Sequence, residues 1–234
     1  MSIAENLAVI RDRITAAAAR ASRRPEEIAL MAVSKTQPPE SLREAYAAGQ
    51  RLFGENRVQE FGVKIASLAD LAKAEYHMIG HLQTNKSAKV VELFAAVDSV
   101  DSLKLAEKLN IAGGEVNKTL DVLIEINVGG EAAKTGIAAE SEELENLLQA
   151  ALRFEALKFR GLMTVPPFRE DPEGARSYFR KLRELRDTIA ARKLPGISME
   201  VLSMGMSHDF EVAIEEGSTC VRVGAAIFGA RATA

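Results

Sequence analysis

Ile28-Ala-Leu-Met-Ala-Val-Ser-Lys35-Thr36 is the first strongly apolar run of the chain, and Gln37-Pro-Pro39 follows it at once. Proline gives no N–H to a β-ladder and clashes inside a helix, so the run reads as a short buried strand with a hard stop. Alternation along the strand places Lys35 on the face of Met31 and Val33, with its nitrogen emerging where the strand ends. Two roles suit such a lysine. Apolar surroundings can lower its pKa and make it a nucleophile towards an aldehyde, or it can be a cation that snorkels out of the strand end. The rest of the chain decides between them.

Upstream, Ile3, Leu7, Ile10 and Ile14 recur at three- and four-residue spacing, which makes residues 1–22 an amphipathic helix that packs on the fold. Glu5 and Asp12 interrupt it, unlike a transit peptide. Downstream, short apolar runs alternate with segments of helical period eight times, starting with the Lys35 strand. Pro39 to Gly49 reads as its helix, with proline at the start and glycine at the end. The next strands are Arg51-Leu-Phe-Gly-Glu-Asn56, Tyr76-His-Met-Ile-Gly-His81-Leu82 and Ala95-Ala-Val-Asp98. Asn85 is expected to cap the third helix, Ser102 to cap the fourth, and Gly113-Gly114 to end the fourth. Leu120-Asp-Val-Leu-Ile-Glu-Ile-Asn127-Val is rich in β-branched residues and is the clearest strand. The last three are Leu157 to Val165, Ile197 to Ser203 and Cys220-Val-Arg222-Val-Gly224.

Eight such units in 234 residues predict an α/β fold, a single (β/α)8 TIM barrel with an extra N-terminal helix, spanning residues 1–234 as one domain. An open flavodoxin-like sheet needs only about five units. The net charge of −3 with interspersed signs offers no basic stripe for nucleic acid. The lone Cys220 rules out a disulfide framework and fits a reducing compartment, hence the cytoplasm. No apolar run is long enough to cross a membrane.

A barrel gathers the carboxyl ends of all its strands at one mouth, where phosphates are commonly held by the loops after the seventh and eighth strands. Here those loops are Ser203-Met204-Gly205-Met206-Ser207 and Gly224-Ala225-Ala226. Glycine lets backbone N–H groups approach phosphate oxygens, and a serine adds a hydroxyl. Asp209 would oppose a dianion unless it turns away, and Ser207 would also serve as a plain helix cap. Arg222 shares its face with Cys220 and Gly224 and therefore points into the barrel, where it needs an acceptor: a ligand atom, or a carboxylate such as Glu125 or Glu200. A lysine, an inward arginine and a phosphate cradle together make a pocket suited to pyridoxal 5′-phosphate (PLP), held as a Schiff base on Lys35 with Arg222 facing the pyridine nitrogen.

Ala32-Val-Ser-Lys35-Thr, Phe53-Gly-Glu-Asn56-Arg-Val-Gln-Glu60, Ile79-Gly-His-Leu-Gln83-Thr-Asn-Lys86, Ser203-Met-Gly-Met-Ser207 and Val221-Arg-Val-Gly-Ala-Ala-Ile-Phe-Gly229 resemble, in matching order, the pyridoxal-phosphate homeostasis proteins of the YggS/PROSC type. The resemblance implies a barrel of the alanine-racemase type with PLP as cofactor and Lys35 as the cofactor lysine. It further implies phosphate contacts from Ser203, Met204, Gly205, Ser207, Gly224 and Ala225, Arg222 at the ring nitrogen, and Asn56 and His81 beside the ring. Lys134 lies in a Lys-Thr-Gly segment resembling the family's Lys-Ser-Gly and receives no role.

In homologous racemases a tyrosine from a second domain of a partner subunit is the second acid/base, and the single-barrel reading of residues 1–234 leads us to expect no second domain here. Tyr46, Tyr76 and Tyr178 fall on helices or before a strand, away from the expected mouth. The resemblance therefore points to a monomeric, non-catalytic carrier in intracellular PLP homeostasis, with apo PLP-dependent enzymes as recipients. A low-activity amino acid racemase is the alternative. A metal-dependent hydrolase is disfavoured, because His77 and His81 stand roughly 13 Å apart along a strand and no carboxylate cluster completes a site.

Overall fold

The computed structural model describes residues 1–131 and 135–229, so Lys134 lies outside the described residues. The strands are β1 (Ala29–Val33), β2 (Leu52–Glu55), β3 (Glu75–Met78), β4 (Ala96–Val100), β5 (Leu120–Asn127), β6 (Ile137–Ala138), β7 (Leu157–Met163), β8 (Ile197–Met206) and β9 (Cys220–Val223). Eight of them pair in parallel in the order β4-β3-β2-β1-β9-β8-β7-β5, and a β4–β5 pairing closes the ring. The two-residue β6 pairs only with the end of β5. The expected closed α/β barrel is thus the observed fold. Closure leaves no free edge, and the parallel direction brings every carboxyl end to one pole.

Around the ring lie α2 (Pro39–Ala47), α3 (Val58–Lys64), α4 (Ser87–Leu93), α5 (Leu103–Glu115), α6 (Glu142–Ala151), α7 (Arg176–Ala191), α8 (Phe210–Glu215) and the single-turn α9 (Ala225–Phe228), with α1 (Ile3–Arg20) before them. A capping box between Ser2 and Glu5 opens α1, and its apolar stripe packs on α2, α8 and α9. The main core lies between sheet and helices, with Phe53, Phe61, Phe159, Phe179 and Phe210 fully buried. Inward parity sends Met31, Leu123 and Met163, also buried, to the middle of the barrel.

Three local readings need correction. β1 ends at Val33, and Lys35 stands in a turn two residues later. Asn85 lies inside a 3-10 turn and makes no cap, because that turn feeds directly into α4. Gly113 and Gly114 do not end α5; a Cβ on Gly113 would lie 2.7 Å from the Lys118 carbonyl oxygen, so this glycine serves a close approach. Ser102 does cap α5, accepting from the Leu105 N–H at 3.3 Å.

The turn that carries Lys35 is fixed from the helix side of the sheet. Gln37 N–H donates to Ser34 O at 3.1 Å, and Thr36 takes φ 62°, the left-handed third position of a tight turn. Both ends of this turn are tied to a buried ion pair. Lys64 Nζ lies 2.6 Å from Glu55 Oε1 and also donates to the carbonyls of Ser34 and Gln37 at 3.1 and 3.2 Å. The Ser34 hydroxyl donates to the same Glu55 oxygen at 2.6 Å. Glu55 is fully buried and Lys64 nearly so, so the strength of the pair depends on satisfying both groups. Lys64→Met leaves the Glu55 charge without its cation. It is expected to destabilise the fold by about 3–5 kcal/mol in urea unfolding, and adding Glu55→Leu should recover part of that loss.

Gly161 sits where the β7–β8 register shifts, and a Cβ there would clash with the Val201 backbone carbonyl. Gly161→Ala should therefore cost about 1–3 kcal/mol or more. Gly114, on the exposed face of α5 with nothing within 4 Å of an added Cβ, is the control: Gly114→Ala should stabilise by about 0.5–1 kcal/mol in the same denaturation experiment.

Candidate functional site

At the carboxyl pole a cavity of about 290 Å³ opens among the strand ends. Its polar side chains are Lys35, Asn56, Ser207 and Arg222, its backbone floor is Gly224 and Ala225, and its walls are Val33, Ile79, Val165 and Met206. These residues come from β1, β2, β3, β7, β8 and β9. The sequence-level grouping of lysine, asparagine, arginine and glycine–serine turns is thus a spatial one.

Arg222 is buried to 3% exposure inside the barrel. Its Nη1 donates to the Ser203 hydroxyl and its Nη2 to the Thr164 carbonyl, each at 2.7 Å. Neither carboxylate considered from the sequence is a direct partner. Glu200 pairs with Arg160 at the opposite pole, while Glu125 contributes only its field. The burial of Glu125 pushes its carboxyl above the usual range, with Asp101 adding to the shift; the Thr135 hydroxyl bonded at 2.7 Å and the Arg222 charge oppose it.

Ser207 does not cap α8. Its Oγ accepts from the Gly224 N–H at 3.3 Å, joining the two loops expected to hold a phosphate. Ala225 opens α9; the Ile227 and Phe228 N–H groups donate to the Gly224 carbonyl at 2.9 Å, so within this helix only the Ala225 and Ala226 amides are left for an anion. Asp209, a concern for anion binding, turns back: its Oδ1 accepts from the Met206 N–H at 2.7 Å. Burial raises its carboxyl above the ordinary aspartate value, partly offset by that bond. Both effects reduce the repulsion a dianion would meet.

Four further residues named from the sequence do not line the cavity. Met204 is fully buried in the layer beneath the helices. Gly205, at φ 94°, has no room for a side chain because a Cβ would lie 2.5 Å from the Ala213 Cβ and 2.9 Å from the Phe210 Cα; it lets α8 pack on β8. His81 lies on the inward face of the β3 extension, yet it is 58% exposed at its side chain, with Nδ1 2.9 Å from Asp101 Oδ2. Ser203 meets the cavity only through Arg222.

The sequence reading missed Lys64, Thr164 and the walls Ile79 and Val165. Lys64 had a signal: it falls three residues after Phe61 on the apolar stripe of α3, where a lysine is buried only if paired. Thr164 had none, since its role is a backbone carbonyl. Each tyrosine is engaged elsewhere. Tyr46 lies under the Arg51 guanidinium at 3.9 Å and Tyr178 accepts from Arg169 at 2.7 Å. Tyr76 stacks with Phe53 and lies tilted against Phe61, its phenol pushed up to about 12 by burial. Among the described residues no group of three His, Cys, Asp or Glu side chains could hold a metal, and no helix is long and apolar enough to cross a membrane.

Residues 5–232 match the family model for the alanine racemase N-terminal domain. The pyridoxal phosphate homeostasis protein of Aquifex aeolicus is 46% identical over 231 residues, covering 99% of each chain. Its namesake in Escherichia coli K12 is 45% identical, covering 98% of this chain and 97% of that one. Among solved structures, PipY of Synechococcus elongatus with PLP bound superposes with a TM-score of 0.85 at 36% identity, covering 97% of this chain and all of PipY. The alanine racemase of Clostridium difficile, at 15% identity and a TM-score of 0.71, covers 98% of this chain but 58% of its own length, a likeness of fold alone. With close identity over nearly its whole length, the chain belongs to the pyridoxal phosphate homeostasis protein family, built on the barrel of the alanine racemase N-terminal domain.

Proposed function

We propose that this protein binds PLP as a Schiff base on Lys35 and serves intracellular PLP homeostasis by holding and transferring the cofactor rather than by turning over a substrate. The observation that carries this reading is the convergence of Lys35, Asn56, Ser207, Arg222 and the Gly224–Ala225 backbone on one cavity. The cavity fits the group. Asn56 Oδ1 is buried without a hydrogen-bond partner, which a bound polar ring substituent would satisfy. The Ser207–Gly224 bond ties together a cradle suited to a phosphate. Bound there, PLP supplies an aldehyde for an amine and a ring that can withdraw electrons.

Lys35 supplies the amine from a turn whose ends Lys64 holds, and Asn56 orients the ring from the β2 end. Arg222, anchored by Ser203 and Thr164, donates and cannot accept a proton at neutral pH. With PLP bound so that its ring nitrogen lay against Arg222, that residue would give the nitrogen no proton, and the ring would supply only a weak electron sink. No tyrosine lines the cavity, so a second acid/base of the racemase kind is not offered by a tyrosine there. Both observations favour a carrier over the alternative of a low-activity racemase. In the same reading, residues 1–234 form one PLP-binding unit acting as a cytoplasmic monomer, and apo PLP-dependent enzymes are its recipients. His81 belongs to the exposed rim of the site and Ser203 to the buried layer that anchors Arg222, while Met204 and Gly205 shape the β8–α8 loop. The net charge of −3 argues against nucleic acid as a partner.

Purified protein mixed with PLP should develop a visible absorption band that borohydride removes, and peptide mapping should find the reduced adduct on Lys35. Lys35→Ala should lose the band. Protein that takes up no PLP would overturn the proposal. Sustained isomerisation of an amino acid by the loaded protein, abolished by Lys35→Ala, would favour the racemase instead. Restoration of an apo-enzyme's activity without such turnover supports the carrier.

A further inference from the structure

Among the described residues, four that are not glycine take a positive φ. Ser22, Asn117 and Lys193 each stand one place beyond the C-cap of α1, α5 or α7, where a left-handed residue commonly ends a helix. Thr36, at φ 62°, has no such setting: it follows a strand, and it is the one β-branched residue of the four. The third position of a tight turn with positive φ suits glycine or asparagine, whereas a branched Cβ is strained there. Thr36 is exposed, so packing of its own side chain does not keep it left-handed. Strain of this kind persists only where the surroundings over-determine the backbone.

Those surroundings are the two ends of the turn. At its entry the Ser34 N–H donates to the Gly54 carbonyl at 2.9 Å and the Ser34 hydroxyl to Glu55 at 2.6 Å. At its exit Gln37 precedes Pro38, which confines Gln37 to extended backbone. Lys64 spans both ends, donating to the Ser34 carbonyl at 3.1 Å and the Gln37 carbonyl at 3.2 Å, and its own place is set by Glu55 at 2.6 Å. Two carbonyls held by one buried ammonium cannot separate, so the turn cannot open to let Thr36 relax to negative φ. Between these ends Lys35 is half-buried and lines the cavity.

We infer that Lys64 and Thr36 are positioning residues for Lys35: the ammonium holds the turn closed, the strained left-handed residue keeps the lysine backbone in one conformation, and the amine is thereby held over the cavity. The inference rests on the reading of Lys35 as the residue that takes PLP. In that step the uncharged amine adds to the aldehyde carbon, a C–N bond forms, and the carbonyl oxygen leaves as water with both amine hydrogens, so that C=O becomes C=N. The nitrogen must lie within reach of that carbon, and a small displacement of a reacting group slows such a step by up to about a hundredfold. A turn free to open holds the amine in place for only part of the time.

The experiment separates aim from stability, using the full chain freed of PLP. Combining Lys64→Met with Glu55→Leu removes the ties to Ser34 and Gln37 without stranding a buried carboxylate. Lys64→Gln, whose neutral amide still donates to Glu55, is the second variant. At a temperature where unfolding curves show each variant fully folded, the visible PLP band should form at least about tenfold more slowly than in the unaltered protein. Pyridoxine 5′-phosphate, which carries an alcohol in place of the aldehyde, should bind with unchanged Kd. Adding Thr36→Asn, a residue that accepts positive φ, should bring the rate back towards that of the unaltered protein, a rescue that a merely structural loss would not show. In the PLP-free protein, Thr36 Cα and Cβ chemical shifts should report a left-handed residue that becomes averaged in either variant. An unchanged rate, an equal loss of pyridoxine 5′-phosphate binding, no recovery with Thr36→Asn, or left-handed shifts retained in the variants would each overturn the inference. A band that fails to form in the unaltered protein overturns the functional reading as well, whereas a normal rate in the variants removes the positioning role alone.

Discussion

A guanidinium inside the barrel organises this molecule. Arg222 projects from β9 and donates at once to the Ser203 hydroxyl on β8 and to the Thr164 carbonyl after β7. Three neighbouring strands are thereby joined across their inward faces. A permanent cation at that depth is tolerated only because its donors are satisfied and because Asp98, Glu125 and Asp209 surround it at longer range. It lines the carboxyl-terminal cavity with Lys35, and a separate amino-terminal cavity is lined by Asp98.

On the helix side of the sheet a second buried charge system does comparable work. Glu55, Lys64 and Ser34 tie β1, β2 and α3 together below the turn that presents Lys35. Outward-facing charges thus fix the backbone, while Lys35, from the same turn, lines the cavity. The strict alternation of a β-strand makes this separation possible, because successive residues of one strand end serve different layers. Ser34 and Lys35 are adjacent in sequence and opposite in role.

Much of this was legible from residue order. The eight apolar runs, the proline stop after Lys35 and the inward parity of Arg222 each rest on local rules, and the barrel follows those rules. The departures occur where a distant backbone decides. Gly113 is glycine because Lys118 and Ala156 leave no room for a Cβ, and Gly205 because α8 packs against it. Ser207 turns to the Gly224 N–H instead of capping its own helix. His81, which the resemblance placed beside the ring, remains exposed next to Asp101, because the chain leaves the strand at Met78 and bends at Gly80.

The sequence by itself determined the order of strands and helices, the pole at which Lys35 emerges and the face on which Arg222 lies, since periodicity and proline act over a few residues. Tertiary structure alone decided which acceptors Arg222 takes, which charges Lys64 satisfies and where the interior is left open. Those outcomes depend on the register between strands that are far apart in the chain. The β7–β8 shift at Gly161 brings Thr164 and Ser203 to the level of Arg222, and such a register is set by packing around the whole ring rather than by any one segment.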